Sequence, residues 1–187
     1  MSAPRSLFSA GAAPADALLT REQAQALAER VLKMSKAETA QLAVTTSYQG
    51  NTRFAANQMS TAGGVTNAQV AIQSSFGPKH AVVTTNDLSD DALRRAVEQS
   101  ERLARLAPDD PEAMPALGPQ QYAAVDAFFD RTAALTAGDR AAAAKLALDA
   151  ARAAGDLQAA GFIVSGMTAG AIANSKGMFA YHRSTGG

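Results

Sequence analysis

No cysteine and no tryptophan occur among the 187 residues, and there are only two histidines. Without thiols there is no disulfide framework, no thiolate nucleophile and no Cys-ligated zinc or iron–sulfur site, a pattern that suits a reducing compartment and makes the cytoplasm the default expectation. An excess of one charge sign is also missing, since 17 basic residues balance 17 acidic ones. Nucleic-acid binding needs a basic surface that neutralises several phosphates, so no direct contact with DNA or RNA is expected. Long hydrophobic runs are absent. In Met1 to Ala17 the longest bulky apolar stretch is Leu7-Phe8, too short for a signal-peptide core. The most apolar segment, Ala159 to Ala173, is interrupted by Gly161, Gly166 and Gly170 and falls short of the roughly 20 residues of a spanning helix. Large core-forming side chains are sparse as well. The 47% apolar content includes about 45 Ala, leaving about a quarter of the chain as Val, Ile, Leu, Met, Phe and Tyr. A thin, helix-rich core follows.

What is present reads as an α+β chain. Residues 1–17, rich in Ser, Ala, Pro and Gly, read as a flexible leader. Thr20 and Gln23 have capping-box spacing, and Ala24, Leu27, Ala28, Val31 and Leu32 recur at helical intervals, which predicts a helix over Arg21 to Met34. Leu42, Val44, Thr46 and Tyr48 then alternate with polar residues as a half-buried strand. Gly50-Asn51 is the expected tight turn, with Thr52 to Ala56 returning as the hairpin partner. After a Gly63-Gly64 break, Ala68, Val70, Ile72, Ser74 and Phe76 alternate up to Gly77-Pro78, and Ala81, Val83 and Thr85 follow, giving a meander of about four strands. Ser89 caps a helix with Asp90 and Asp91 in its first turn and Leu93, Val97, Leu103 and Ala107 as the expected buried stripe.

Four of the seven prolines, Pro108, Pro111, Pro115 and Pro119, stop that helix and make 108–121 a linker between an α+β domain at 18–107 and a second part at 122–187. In that second part Tyr122, Val125, Phe128 and Phe129 suggest a short helix, Thr136 caps an Ala-rich helix from Gly138 to Ala154 with Gly155 beyond its end, and Leu157 to Val164 reads as a strand. Asn174-Ser175-Lys176-Gly177 is the turn of a further hairpin, taken as the start of a second sheet that the chain's end leaves incomplete.

Spacing alone reveals little chemistry. His80 and His182 are too far apart in sequence for a helical metal-binding pair, and surface or capping roles are expected for both. No Gly-x-Gly-x-x-Gly, Walker, Gly-x-Ser-x-Gly or Ser-x-x-Lys pattern occurs. Asp109, Asp110 and Glu112 offer oxygens to a hard cation but sit in the Pro-rich segment as a solvated charge run. Gly166 and Gly170 read as glycines in a loosened strand. Ser175 and Lys176 are a nucleophile and an amine with no oxyanion donor to name. Arg53 and Asn57, on a hairpin beside Phe54, have the donors and acceptors to hold an extended peptide, against the plainer reading of a solvent-facing strand.

Four segments in order resemble the N-terminal domain of the TldD/TldE (PmbA) family, also called modulators of DNA gyrase: Gly50-Asn51-Thr52-Arg53-Phe54-Ala55-Ala56-Asn57, Thr84-Thr85-Asn86-Asp87-Leu88 with the helix after it, Ala104 to Glu112 leading to Gly118-Pro119-Gln120-Gln121-Tyr122, and Asn174-Ser175-Lys176-Gly177. The resemblance runs from about Leu19 to Arg183. It implies a portion of a cytoplasmic zinc metallopeptidase system that processes or degrades unfolded peptides, in which a TldD-type subunit carries a His-Glu-x-x-x-His helix and pairs with a TldE-type subunit as a homo- or heterodimer. That zinc motif belongs to the family's C-terminal half and is not in this sequence. The expectation is a non-catalytic substrate-cavity and subunit-contact portion with no catalytic residue and no metal ligand of its own. Zinc is expected in the complete TldD-type protein or its partner, and Arg53 and Asn57 are the candidate substrate contacts. The alternatives are a gyrase-associated interaction protein and a small self-sufficient hydrolase.

Overall fold

Alternation along Thr39–Ala55 dictates the architecture. Leu42, Val44, Thr46, Gly50, Thr52 and Phe54 are buried, while Thr45, Gln49 and Arg53 on the other side are exposed, so this strand (β1) needs cover on one face only. The computed structural model describes residues 17–187. The expected leader, apart from Ala17, lies outside the described residues. β1 is the central strand of a five-stranded antiparallel sheet. On one side it pairs with β2 (Gln58–Phe76), followed by β3 (Lys79–Thr85). On the other it pairs with β4 (Gly161–Asn174), followed by β5 (Phe179–Gly186). The order is β3-β2-β1-β4-β5.

The helices lie on one face, giving the expected α+β class of antiparallel hairpins covered by helices. α1 (Arg21–Met34) starts in the anticipated capping box, where the Thr20 side chain accepts from the Gln23 amide and the Gln23 side chain accepts from the Thr20 amide. α2 (Asp90–Leu106) is capped by Ser89. Together they enclose the main core of Leu27, Val31, Leu42, Val44, Val70, Ile72, Leu93 and Val97. A short α3 (Asp130–Ala133) precedes α4 (Ala137–Ala153), which begins in a Thr136–Asp139 capping box and covers a small second core of Phe54, Ala144 and Leu148.

Several expectations are corrected. Gly50-Asn51 is not a turn. It lies inside β1, where a Cβ on Gly50 would collide with the guanidinium of Arg140, so the position is glycine to let that side chain lie flat on the backbone. Thr52 to Ala55 therefore continues β1 instead of returning, and the hairpin turns at Ala56-Asn57, whose φ values are 48° and 61°. Nor does Gly63-Gly64 break the chain. Both glycines sit within β2, and a Cβ on Gly64 would stand 2.7 Å from the Tyr48 hydroxyl. One long hairpin plus β3 replaces the four-strand meander, and the C-terminal hairpin, expected to open a second sheet, extends this one.

The buried line of α2 is Leu93, Ala96, Val97, Ser100 and Ala104, with Leu103 off its side at 40% exposure. Tyr122 to Phe129 is not helical. It runs beside β5, where the Thr185 amide donates to the Ala127 carbonyl at 2.9 Å and the Phe129 amide to the Thr185 hydroxyl at 3.1 Å, so the edge of the sheet rather than a helical turn satisfies its backbone. The strand expected from Leu157 starts only at Gly161, because the Asn57 side chain holds Leu157 and Ala159 as an irregular connection.

Candidate functional site

Asn57 and Arg53 both lie at the hairpin end, and their side chains have different fates. The left-handed backbone of Ala56-Asn57 turns the Asn57 carboxamide toward the chain leaving α4. There its nitrogen donates to the Leu157 carbonyl at 2.9 Å and its oxygen accepts from the Ala159 amide at 2.8 Å. Arg152 donates to the Asn57 carbonyl at 2.8 Å and secures the tip from α4. The Asn57 side chain thus bonds its own fold. Arg53 is exposed, forms no salt bridge among the described residues, and borders a shallow depression with Ala55, Ala160, Gly161 and Phe162.

Around Arg53 the sheet face opposite the helices is bare. Register places Thr45, Ser47, Gln49, Asn51 and Arg53 of β1 beside Gln69, Asn67, Val65, Gly63 and Thr61 of β2 and beside Gly170, Thr168, Gly166, Val164 and Phe162 of β4. Val65, Val82 and Phe162 are 63%, 52% and 60% exposed. No Asp or Glu occupies a position on this face of any strand, and Arg53, His80 and His182 are its only basic side chains. Exposed sheet faces are usually laced with charge. Here hydroxyls, amides and small apolar groups dominate instead.

Among the described residues a large recess lies on the helix side, a cleft of about 890 Å³ between the start of α1, the α3–α4 turn, β1 and β5. Leu19, Tyr48, Phe128, Leu135 and Tyr181 line it, with Arg21 and Arg183 at its rim. The Tyr181 hydroxyl donates to the Leu19 carbonyl at 2.8 Å, and burial pushes its pKa up. Arg183 stacks 4.0 Å from the centre of the Phe128 ring. The cleft suits an apolar or aromatic group and holds no nucleophile paired with a base. Sequence reasoning missed it because its walls come from four distant segments. The aromatic cluster at 122–129 was its only local signal.

The remaining candidates disperse. Ser175 accepts the Ala40 amide at 3.1 Å and so fastens the β4–β5 turn to β1, while Lys176 projects from the turn, exposed. Asp109 faces Lys79 at 3.9 Å and Asp110 faces His80 at 3.7 Å, tying the Pro-rich segment to β3. Among the described residues no group of three or more His, Asp or Glu is arranged to hold a metal. His80 and His182 stand on the two outer strands, four inter-strand spacings apart, or about 19 Å at the usual separation. They do not share an ion, and the residues present do not fit a resident catalytic zinc.

No protein-family model matches this chain, and no curated protein sequence does. Solved structures do match. TldE from Thermococcus kodakarensis superposes with a TM-score of 0.77 at 15% identity, over 87% of this chain and 37% of that protein. The chain has a TldD/TldE-type domain fold. A protein from Bacteroides thetaiotaomicron described as a modulator of DNA gyrase gives a TM-score of 0.76 at 15% identity, over 90% of this chain and 40% of its own. Another of that description, from Thermotoga maritima, gives 0.74 at 14% identity, over 87% and 37%. The chain therefore spans about two fifths of the length of these three proteins. No helix among the described residues is long and apolar enough to cross a membrane.

Proposed function

We propose that this chain is the non-catalytic, substrate-facing and subunit-contacting portion of a TldD/TldE-type zinc metallopeptidase that acts on unfolded peptides in the cytoplasm. The observation that carries the reading is the stretch of sheet face around Arg53, which no helix covers and whose strand positions hold no carboxylate. A surface of hydroxyls, amides and small apolar groups receives an uncharged extended chain or a partner subunit without demanding a particular sequence, and Arg53 adds one donor fork for a peptide carbonyl or carboxylate. Asn57 supports this surface indirectly by fixing the hairpin that carries Arg53. Zinc and the hydrolytic step belong, in this reading, to the complete TldD-type protein or its partner subunit.

The test is zinc content and hydrolysis of an unfolded peptide by the chain alone, followed by its co-elution with a complete TldD-type subunit. No stoichiometric zinc, no hydrolysis and a stable complex are the expected results. Zinc or hydrolysis in the isolated chain contradicts the proposal and returns attention to His80 and His182. The description of two structural neighbours as modulators of DNA gyrase favours a second reading, a protein contact with gyrase. Capture of gyrase by the chain in the absence of DNA supports that reading.

A further inference from the structure

The cleft on the helix side lies across the sheet from the Arg53 face, and its chemistry is of another kind. Leu19, Tyr48, Leu135 and Tyr181 give it an apolar and aromatic floor. At about 890 Å³ it has the size of a pocket that holds a small organic ligand. Arg21, from the start of α1, and Arg183, from β5, reach its rim, and both are held by rings. The Arg21 guanidinium stands 5.4 Å from the centre of the Tyr181 ring and 5.8 Å from that of Phe179, and the Arg183 guanidinium 4.0 Å from that of Phe128. Stacking orients a guanidinium without using its N–H donors, which stay open to a planar anion. Neither arginine forms a salt bridge among the described residues. Two carboxylates also border the cleft. Hydrogen bonds from its own amide and from Thr20 hold the pKa of Glu22 low and turn it to the helix start, and Asp130 is exposed in the first turn of α3. The two guanidiniums act on one point of the rim: burial raises the pKa of the Tyr181 hydroxyl, and the charges of Arg183 and Arg21 both lower it.

We propose that this cleft binds an amphipathic organic acid, with an aromatic or branched aliphatic body on the apolar floor and a single carboxylate at the guanidiniums of Arg21 and Arg183. Such a ligand matches both halves of the site. Its body is removed from water against Leu19, Leu135 and the tyrosine rings, and its carboxylate accepts charge-assisted hydrogen bonds from the two arginines. A neutral analogue forfeits the second contribution, and a small anion without a body forfeits the first. The recognising chemistry is shared by a free organic acid and by the C-terminal residue of a peptide that ends in an apolar side chain.

This goes beyond the peptide reading of the Arg53 face and is tested separately from it. The 187-residue chain is titrated with phenylacetate, phenylacetamide, acetate and an N-acetylated tripeptide ending in phenylalanine. Amide NMR shifts of Leu19, Ala134 and Leu135 report occupancy, and far-UV circular dichroism verifies that each variant is folded. Phenylacetate is expected to shift these amides saturably, with phenylacetamide and acetate about tenfold weaker or more. Arg21→Gln and Arg183→Gln each weaken phenylacetate by about fivefold or more and leave phenylacetamide unchanged. Ala134→Phe, which puts a ring into the cleft, abolishes binding of both. Tighter binding of the tripeptide than of phenylacetate supports the site with a peptide C-terminus as its ligand, and the reverse order supports it with a free acid. No saturable shift with either acid, equal affinity for phenylacetate and phenylacetamide, or indifference to both arginine variants overturns the proposal. Arg53→Glu leaves phenylacetate binding unchanged, and Arg183→Gln leaves capture of an extended chain at the Arg53 face unchanged, so failure of one reading is distinguishable from failure of the other.

Discussion

The two ends of the helix-covered face are built differently. Where α1 and α2 cross it, Leu42, Val44, Val70, Ile72, Leu93 and Val97 fill the space with branched aliphatic side chains, each at most 2% exposed. Where α4 crosses it, the buried set shrinks to Phe54, Ala144 and Leu148, and Arg140 lies among them at 3% exposure and forms no salt bridge among the described residues. Its guanidinium donates to Ser165 at 3.0 Å and to the Leu135 carbonyl at 3.3 Å, and its Nε has no partner. Burial of apolar area drives folding, and a buried cation without a salt bridge opposes it. The α1/α2 end is therefore the anchor. The α4 end, which carries the hairpin tip and Arg53, is the weaker region, and binding surfaces are drawn from such regions.

The largest expected effect probes the anchor. Leu93→Ala removes a fully buried side chain from the main core and costs about 3 to 4 kcal/mol in denaturant unfolding, with loss of the whole fold rather than of one end. The next probes the close approach at the other end. Gly50→Ala drives a methyl into the Arg140 guanidinium and costs about 2 kcal/mol, much of which Arg140→Met restores in the double variant because the straight thioether side chain can move aside. A smaller loss follows Thr136→Ala at the start of α4.

That loss depends on pH in a defined direction. The Thr136 side chain and amide donate to the Asp139 carboxylate and hold its pKa below the ordinary value. A depressed folded pKa contributes stability above the unfolded value, and this contribution disappears as pH falls through the folded value. Wild type and Thr136→Ala should therefore converge on acidification, as thermal melts across that range will show. The smallest expected effect is Arg140→Met alone. Losing the desolvation cost offsets the two lost hydrogen bonds, so stability stays within about 1 kcal/mol of wild type or rises.

These contrasts also explain what was legible in the sequence. Local signals held where chemistry is local: Thr20 with Gln23, Ser89 and Thr136 marked three helix starts, and the alternation of Leu42 to Tyr48 and of Ala68 to Phe76 marked the sheet. Glycines misled where their reason was distant. Gly50 answers to Arg140, ninety residues on, and Gly64 to Tyr48 across the hairpin, so neither announces a turn. Conversely, Ala56-Asn57 turns the chain without glycine because Asn57 is held by Leu157 and Ala159. The Arg53 position was legible as an exposed hairpin side chain. The cleft beside α1 was not, because its walls come from four segments distant in sequence.

Hydrogen exchange resolved along β1 tests the central contrast most directly, since this one strand passes beneath both ends and is paired on both sides from Gln41 to Phe54. The account predicts that amides of Leu42 to Thr46 exchange only through global unfolding, whereas those of Thr52 to Phe54 exchange through a cheaper opening that an added extended peptide or TldD-type partner suppresses. Equal opening free energies along the strand, unchanged by peptide or partner, would contradict it.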